Sequence, residues 1–352
     1  MPFAPGFDNA EALDLLALSA YSETEHPEPP IPDPRATWSL LFDSPQIGPF
    51  ENKWQLWRRT AGDRRFAIAL RGTVPEAGSI VEDLIALMIE ASGTITVGGN
   101  SVRYRFARDP RTPSAKPGVH LGFALGTLLL LLDPANGIIA QLPRCGVAAG
   151  SEIYVTGHSQ GAAMATLLRS YLHYQGGAPA NCTYKTYVFA QPKPGNDHYA
   201  ADFESRFSNG GLAFRVTNSL DWVPQVPFTL EFIGDINEPN LVSAWFNSSV
   251  RLIALKSILD GTESVFSGGQ HILENHLRDR FEPALRQLVS PGAPLGAAAG
   301  AALALMPSFN FVNAGSEYAL IGTACAGAQC NDGFFEHHCT TYYGLMTSPP
   351  PA

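Results

Sequence analysis

Apolar residues fall into two rhythms along this chain. Short unbroken runs, such as Phe66-Ala67-Ile68-Ala69-Leu70, suit strands covered on both faces. Longer stretches with recurrent apolar positions suit helices. In chain order the pattern predicts a helix over 12–21, opened by a capping box at Asp8-Asn9-Ala10-Glu11. A Pro-rich extended connection follows at 26–34. Strands are predicted over 54–58 and 66–70, then helices over 79–91 and 122–132. A strand over 152–156, a helix over 162–174 and strands over 186–190 and 214–217 come next. Strands alternating with helices predict an α/β fold, a mostly parallel sheet with helices on both sides.

Residues 229–305 break that rhythm. They read as mostly helical and end in an Ala- and Gly-rich run over 292–305. This stretch is expected to be a cap-like insertion over one end of the sheet, within a single domain covering 1–352. Strand character returns over 309–321, and a short helix over 340–346 precedes the Pro-rich end.

Composition narrows the function classes. Apolar residues make up 45% and charged residues 16%, enough to bury a large core. A net charge of -9 argues against a nucleic-acid partner, which calls for a basic face. The first residues carry no basic n-region, and Glu11 and Asp14 interrupt the next apolar stretch, so no signal peptide is expected in this chain. The longest apolar run, around 128–132, is shorter than the roughly 20 residues of a membrane span. The expectation is a soluble protein, cytoplasmic or secreted after removal of a signal. Of five cysteines, Cys325 and Cys330 are near enough to close a small disulfide loop, or to stay free thiols.

The chemistry centres on Gly157-His158-Ser159-Gln160-Gly161, set between the strand at 152–156 and the helix at 162–174. A G-x-S-x-G pattern in a loop means little. Between a strand and a helix it describes a sharp turn that lifts a serine hydroxyl above the sheet, with small residues where the strand and helix backbones approach. Ser159 is the expected nucleophile. It needs a base, and the base needs an acid to orient its ring. Asp221, just past the strand at 214–217, is the best acid. Taken alone it would more readily be a turn aspartate capping the following segment.

Further motifs resemble the class 3 (fungal-type) lipases, in order from about Trp54 to Tyr343. Leu70-Arg71-Gly72-Thr73 resembles that family's oxyanion segment, and Val119-His120-Leu121-Gly122-Phe123 its helix start. Phe189-Ala190-Gln191-Pro192-Lys193-Pro194-Gly195-Asn196 resembles its next strand, and 218–227 its acid loop. Gln160-Gly161-Ala162 departs from the family's Leu-Gly-Gly, but Ala162 is still small and Gln160 keeps its backbone N–H.

The resemblance implies the α/β-hydrolase fold, an oxyanion hole from the N–H groups of Thr73 and Gln160, and chain order serine, acid, histidine. Four histidines follow Asp221: His271, His276, His337 and His338. Spacing in compact family members favours His276. The local pattern at 309–318 and at His337-His338-Cys339-Thr340-Thr341-Tyr342-Tyr343 favours the later pair. His338 is taken first, His337 second and His276 third. The resemblance also makes 79–91 either a mobile lid or a buried helix.

The function expected is hydrolysis of carboxylic esters through an acyl-enzyme, without metal or organic cofactor. The substrate would be an acylglycerol, with triacylglycerol first, and the lipid-water interface a transient contact. An aryl or feruloyl esterase and a non-catalytic binding module on the same fold are the alternatives.

Overall fold

In the computed structural model, the residues described are 3–24, 27–49, 51–61, 64–71, 87–97, 100–109, 116–227, 229, 305–306, 308–323 and 332–348. Thr73, residues 79–86, most of the insertion (including His271 and His276), Cys325 and Cys330 lie outside them.

The main sheet comprises β1 (Trp38–Asp43), β2 (Lys53–Arg59), β3 (Arg65–Arg71), β8 (Glu152–His158), β9 (Thr183–Phe189), β10 (Ala213–Asn218) and β12 (Ser316–Leu320), hydrogen-bonded in that order. β1 and β2 pair antiparallel at one edge, and β3 through β12 run parallel. Between them lie β4 (Met88–Glu90), β5 (Ser92–Val97), β6 (Asn100–Arg105), β7 (Gly118–His120) and β11 (Leu305–Met306). They form a three-stranded sheet β11-β4-β7 and a β5-β6 hairpin. The helices are α1 (Asn9–Thr24), α2 (Leu121–Leu132), α3 (Ile138–Arg144), α4 (Gln160–Tyr174), α5 (Asp197–Phe203) and α6 (Cys339–Thr347).

Both faces of the sheet are covered, as an unbroken apolar strand requires. On β3, Phe66, Ile68 and Leu70 face the cluster built by α2 and α4. Ala67 and Ala69 face the cluster built by α1 and α6. This two-sided cover is the α/β layering expected from the alternation of strands and helices. Small residues on the α1 side let that helix lie close: Leu15, Leu16 and Leu18 are fully buried there, each worth about 1.5–3 kcal/mol.

Two local expectations need correction. The capping box is only half formed. Asp8 Oδ1 accepts from the N–H groups of Ala10 at 2.8 Å and Glu11 at 3.0 Å. Glu11 does not reach back; its carboxylate accepts from Tyr154 Oη, Lys185 Nζ and Tyr187 Oη on the sheet. A cation and two hydroxyls on the sheet compete successfully for that carboxylate.

The helix expected over 79–91 does not continue to its predicted end. Met88–Glu90 is a strand, paired antiparallel with Gly118–His120 and with Leu305–Met306. Leu87, Met88 and Ile89 are all fully buried. A short run apolar on every side has no periodicity to separate strand from helix, and the open edge of β7 decides it. Among the described residues no helix is long and apolar enough to cross a membrane.

Candidate active site

Ser159 follows β8 and caps α4. Its backbone sits at φ 56, ψ −133, a region that costs a non-glycine residue about 1–3 kcal/mol. Its N–H donates to Phe189 O on the neighbouring strand at 3.0 Å, and its carbonyl accepts from the Ala162 N–H at 2.8 Å. These bonds hold the turn in place, and the side chain is only partly buried.

Gly157 is required by the same geometry. A Cβ there would lie 2.4 Å from Gly161 O and 3.0 Å from Ala162 N, both main-chain atoms that cannot swing aside. Gly157→Ala is expected to destabilise the protein by about 1–3 kcal/mol, the usual cost of overpacking, and to displace the serine. A lower urea midpoint together with reduced turnover would show both effects.

Asp221 lies past the end of β10, fully buried at its side chain. Its Oδ1 accepts from the Val223 N–H at 2.9 Å. Its Oδ2 accepts from Tyr342 Oη at 2.8 Å and lies 2.9 Å from His337 Nδ1. A carboxylate only accepts, so His337 Nδ1 carries the proton and Nε2 the lone pair. Three donors converge on one carboxylate and fix its orientation.

Of the two adjacent histidines, the structure brings His337 and not His338 to Asp221. His338 is half exposed, and its Nε2 pairs with Asp332 Oδ2 at 2.7 Å, away from Asp221. Phe335–His337 is a single 3-10 turn, and His338 is the extended residue before α6, at φ −61, ψ 142. The tight turn presents His337 inward and the extended residue after it outward. His276 and Thr73 lie outside the described residues. Gln160 is the first residue of α4, where main-chain N–H groups point out of the helix end.

Tyr342 and Asn218 lie within the motifs noted in the sequence, and the structure gives them supporting contacts. Tyr342 donates to Asp221 and accepts from the Asn218 N–H at 3.1 Å. Burial, then the neighbouring Asp221 charge, pushes its pKa well up, so it remains a donor. Asn218 Nδ2 donates to the main-chain oxygen and to Oε2 of Glu336, both at 2.9 Å, tying the acid loop to the histidine turn.

The motif at 189–196 acts by bracing. Buried Gln191 donates to Thr166 Oγ1 and Ala314 O, and its Oε1 accepts from the Ala314 N–H. Asn196 Oδ1 accepts from the N–H groups of Gly118 and Tyr199. A Cβ on Gly195 would lie 2.3 Å from Gly118 O.

Burial, followed by the charge on His158, lowers the pKa of His337 below the ordinary histidine value, although Asp221 pulls the other way. His158 is itself buried behind the turn, between Glu23 and the His337 carbonyl. Glu23, His158 and Cys339 have ligand atoms within 4.8 Å of one another, the one such His/Cys/acid group among the described residues. As they stand, these side chains bond to each other.

Residues 67–231 match the family model "Lipase (class 3)". The chain is 28% identical over 146 residues to secreted mono- and diacylglycerol lipase 1 of Fusarium solani, covering 40% of this chain and 39% of that protein. It is 36% identical over 74 residues to secreted mono- and diacylglycerol lipase LIP4 of Malassezia restricta, covering 21% of this chain and 23% of the relative. The matched segments thus span well under half the length of these curated relatives. Among solved structures, M37 lipase aligns over 62% of this chain and 69% of its own, at 19% identity and a TM-score of 0.47.

Proposed function

We propose that this protein, whose residues 67–231 match the class 3 lipase family model, hydrolyses carboxylic esters of glycerol through a Ser159–His337–Asp221 triad. The observation that carries the proposal is the pairing of His337 with a buried Asp221 at 2.9 Å, in a chain whose strained elbow presents Ser159.

In the proposed reaction the ester carbonyl lies against Ser159 Oγ. His337 Nε2 takes the hydroxyl proton as Oγ attacks, and Asp221 stabilises the imidazolium that forms. The N–H groups of Gln160 and Thr73 hold the oxyanion; losing one such donor typically costs about 10²- to 10³-fold. The imidazolium then protonates the leaving alcohol. Water, activated by the same ring, releases the acid from the acyl-serine. No cofactor enters the scheme. Residues 229–305, inserted between acid and base, would cap the acyl site.

The names of the relatives favour mono- and diacylglycerols over triacylglycerols as substrates. Hydrolysis of matched mono-, di- and trioleoylglycerol tests this, alongside p-nitrophenyl esters from acetate to palmitate. Preferred release of oleate from the partial glycerides, with turnover sustained at long chains, is expected. A collapse beyond butyrate would instead mean an esterase with a closed pocket, of the aryl or feruloyl kind. No turnover on any ester would leave only a binding module.

A further inference from the structure

His158 is set apart from the other buried polar groups by standing directly before the nucleophile while touching neither substrate site nor acid. It ends β8, is 4% exposed, and both ring nitrogens are engaged. Nε2 lies 2.7 Å from the main-chain oxygen of His337, and Nδ1 lies 2.8 Å from Glu23 Oε1. A main-chain carbonyl can only accept, so Nε2 must carry a proton. An ionised carboxylate also only accepts, so Nδ1 must carry one as well. A neutral imidazole has a single N–H and cannot satisfy both. The ring is therefore an imidazolium, paired with a Glu23 side chain that keeps about a third of its surface (32%) in solvent.

We propose that the His158–Glu23 ion pair is a positioning device for the base: it fixes the His337 main chain by the Nε2–H···O bond and, through its nearby positive charge, keeps the His337 ring unprotonated at acid pH. The inference rests on His337 being the base.

The charge lies close to its target. The rings of His158 and His337 are 4.5 Å apart between centroids. At that range a positive charge in a buried setting strongly disfavours a second one. The groups facing His337 from each packed element are Asp221 after β10, His158 on β8, Glu23 on α1, and Cys339 and Tyr342 on α6. Its own turn adds Glu336, which accepts from Asn218, and His338, turned out toward Asp332.

The Cys339 thiol is pushed up to about 11, mainly by burial, and Tyr342 is also raised. Both are neutral at physiological pH, so Asp221 and, to a lesser degree, Glu23 pull a proton onto His337, and His158 opposes them. Burial also opposes a charge on His158, but its neighbours Cys339 and Glu23 more than offset that and raise its pKa. With the thiol neutral, Glu23 is the remaining anion beside the ring, and the charge on His158 stands on the two acceptors that face its nitrogens. The Glu23 pKa is in turn lowered: burial raises it, and the charge on His158 overcomes that.

The test is the pH profile of kcat/KM on a soluble short-chain ester, for wild type, His158→Asn and Glu23→Gln. Asparagine can still donate an amide N–H to the His337 carbonyl but carries no charge. The acid limb should move to higher pH by about one unit in His158→Asn, roughly a tenfold loss at the acid end, with a smaller, pH-independent loss on the alkaline plateau. Glu23→Gln, which deprives His158 of its counter-ion and so discharges the buried ring, should shift the limb the same way but by less, because the Glu23 anion's own pull of a proton onto His337 is lost as well.

An equal loss at every pH in both variants would reduce His158 to a structural bond and overturn the proposal. So would imidazole nitrogen NMR of the wild type showing a neutral His158 at pH 7, a readout that survives if a variant fails to fold. Activity lost to a chelator and restored by zinc would also overturn it, since Nδ1 would then be a ligand. Full turnover in His337→Ala would instead remove the premise, a result independent of anything His158 does.

Discussion

Ser159→Ala is expected to fold like the wild type and to lose ester hydrolysis by roughly 10⁴- to 10⁶-fold, the loss usual when a serine hydrolase is deprived of its nucleophile. The serine's strained backbone is imposed by main-chain bonds, from its N–H to Phe189 and from Ala162 to its carbonyl, and neither involves the hydroxyl. Removing Oγ therefore leaves the elbow standing and deletes the atom proposed to carry the acyl group. The same variant should no longer be labelled by a fluorophosphonate probe, seen as loss of the mass shift on the peptide bearing residue 159. Unchanged turnover or labelling in Ser159→Ala would put the chemistry elsewhere.

The second large effect separates two neighbours in the chain. His337→Ala should cost about as much as loss of the serine, because nucleophile and base act as a unit. His338→Ala should change kcat/KM by no more than about threefold, since it removes only an exposed pair with Asp332. Kinetics of the two single variants on one soluble ester decide the matter. The reverse result would mean that the turn at 335–337 rotates by one residue in the working enzyme and that His338 turns inward. Equal, small losses in both would move the base to another histidine after Asp221.

How much of this was legible beforehand differs from element to element. Strands β3, β8, β9 and β10 and helices α2 and α4 follow from apolar runs whose length and flanking turn residues admit one reading. β4 does not, because Leu87-Met88-Ile89 is apolar on every side and takes the state its neighbours offer. Glu11 looks like the second half of a capping box. It becomes the acceptor for Tyr154, Lys185 and Tyr187, residues more than 140 positions away.

What is covalently local can be read from the residues alone: the elbow at 157–161, with glycine where the backbones nearly touch, and Asp221 just past its strand. These depend on a few consecutive residues and on steric rules that hold in any fold. The choice between His337 and His338 was left to the tertiary structure. Two identical side chains stand in adjacent positions, and only the 3-10 turn, pinned by Asn218 to Glu336 and by His158 to the His337 carbonyl, gives them opposite directions. The same holds for the Glu23–His158 contact, which joins residues 135 positions apart in the chain. Pairings of that kind arise from the docking of α1 and α6 on the sheet, and no local pattern encodes them.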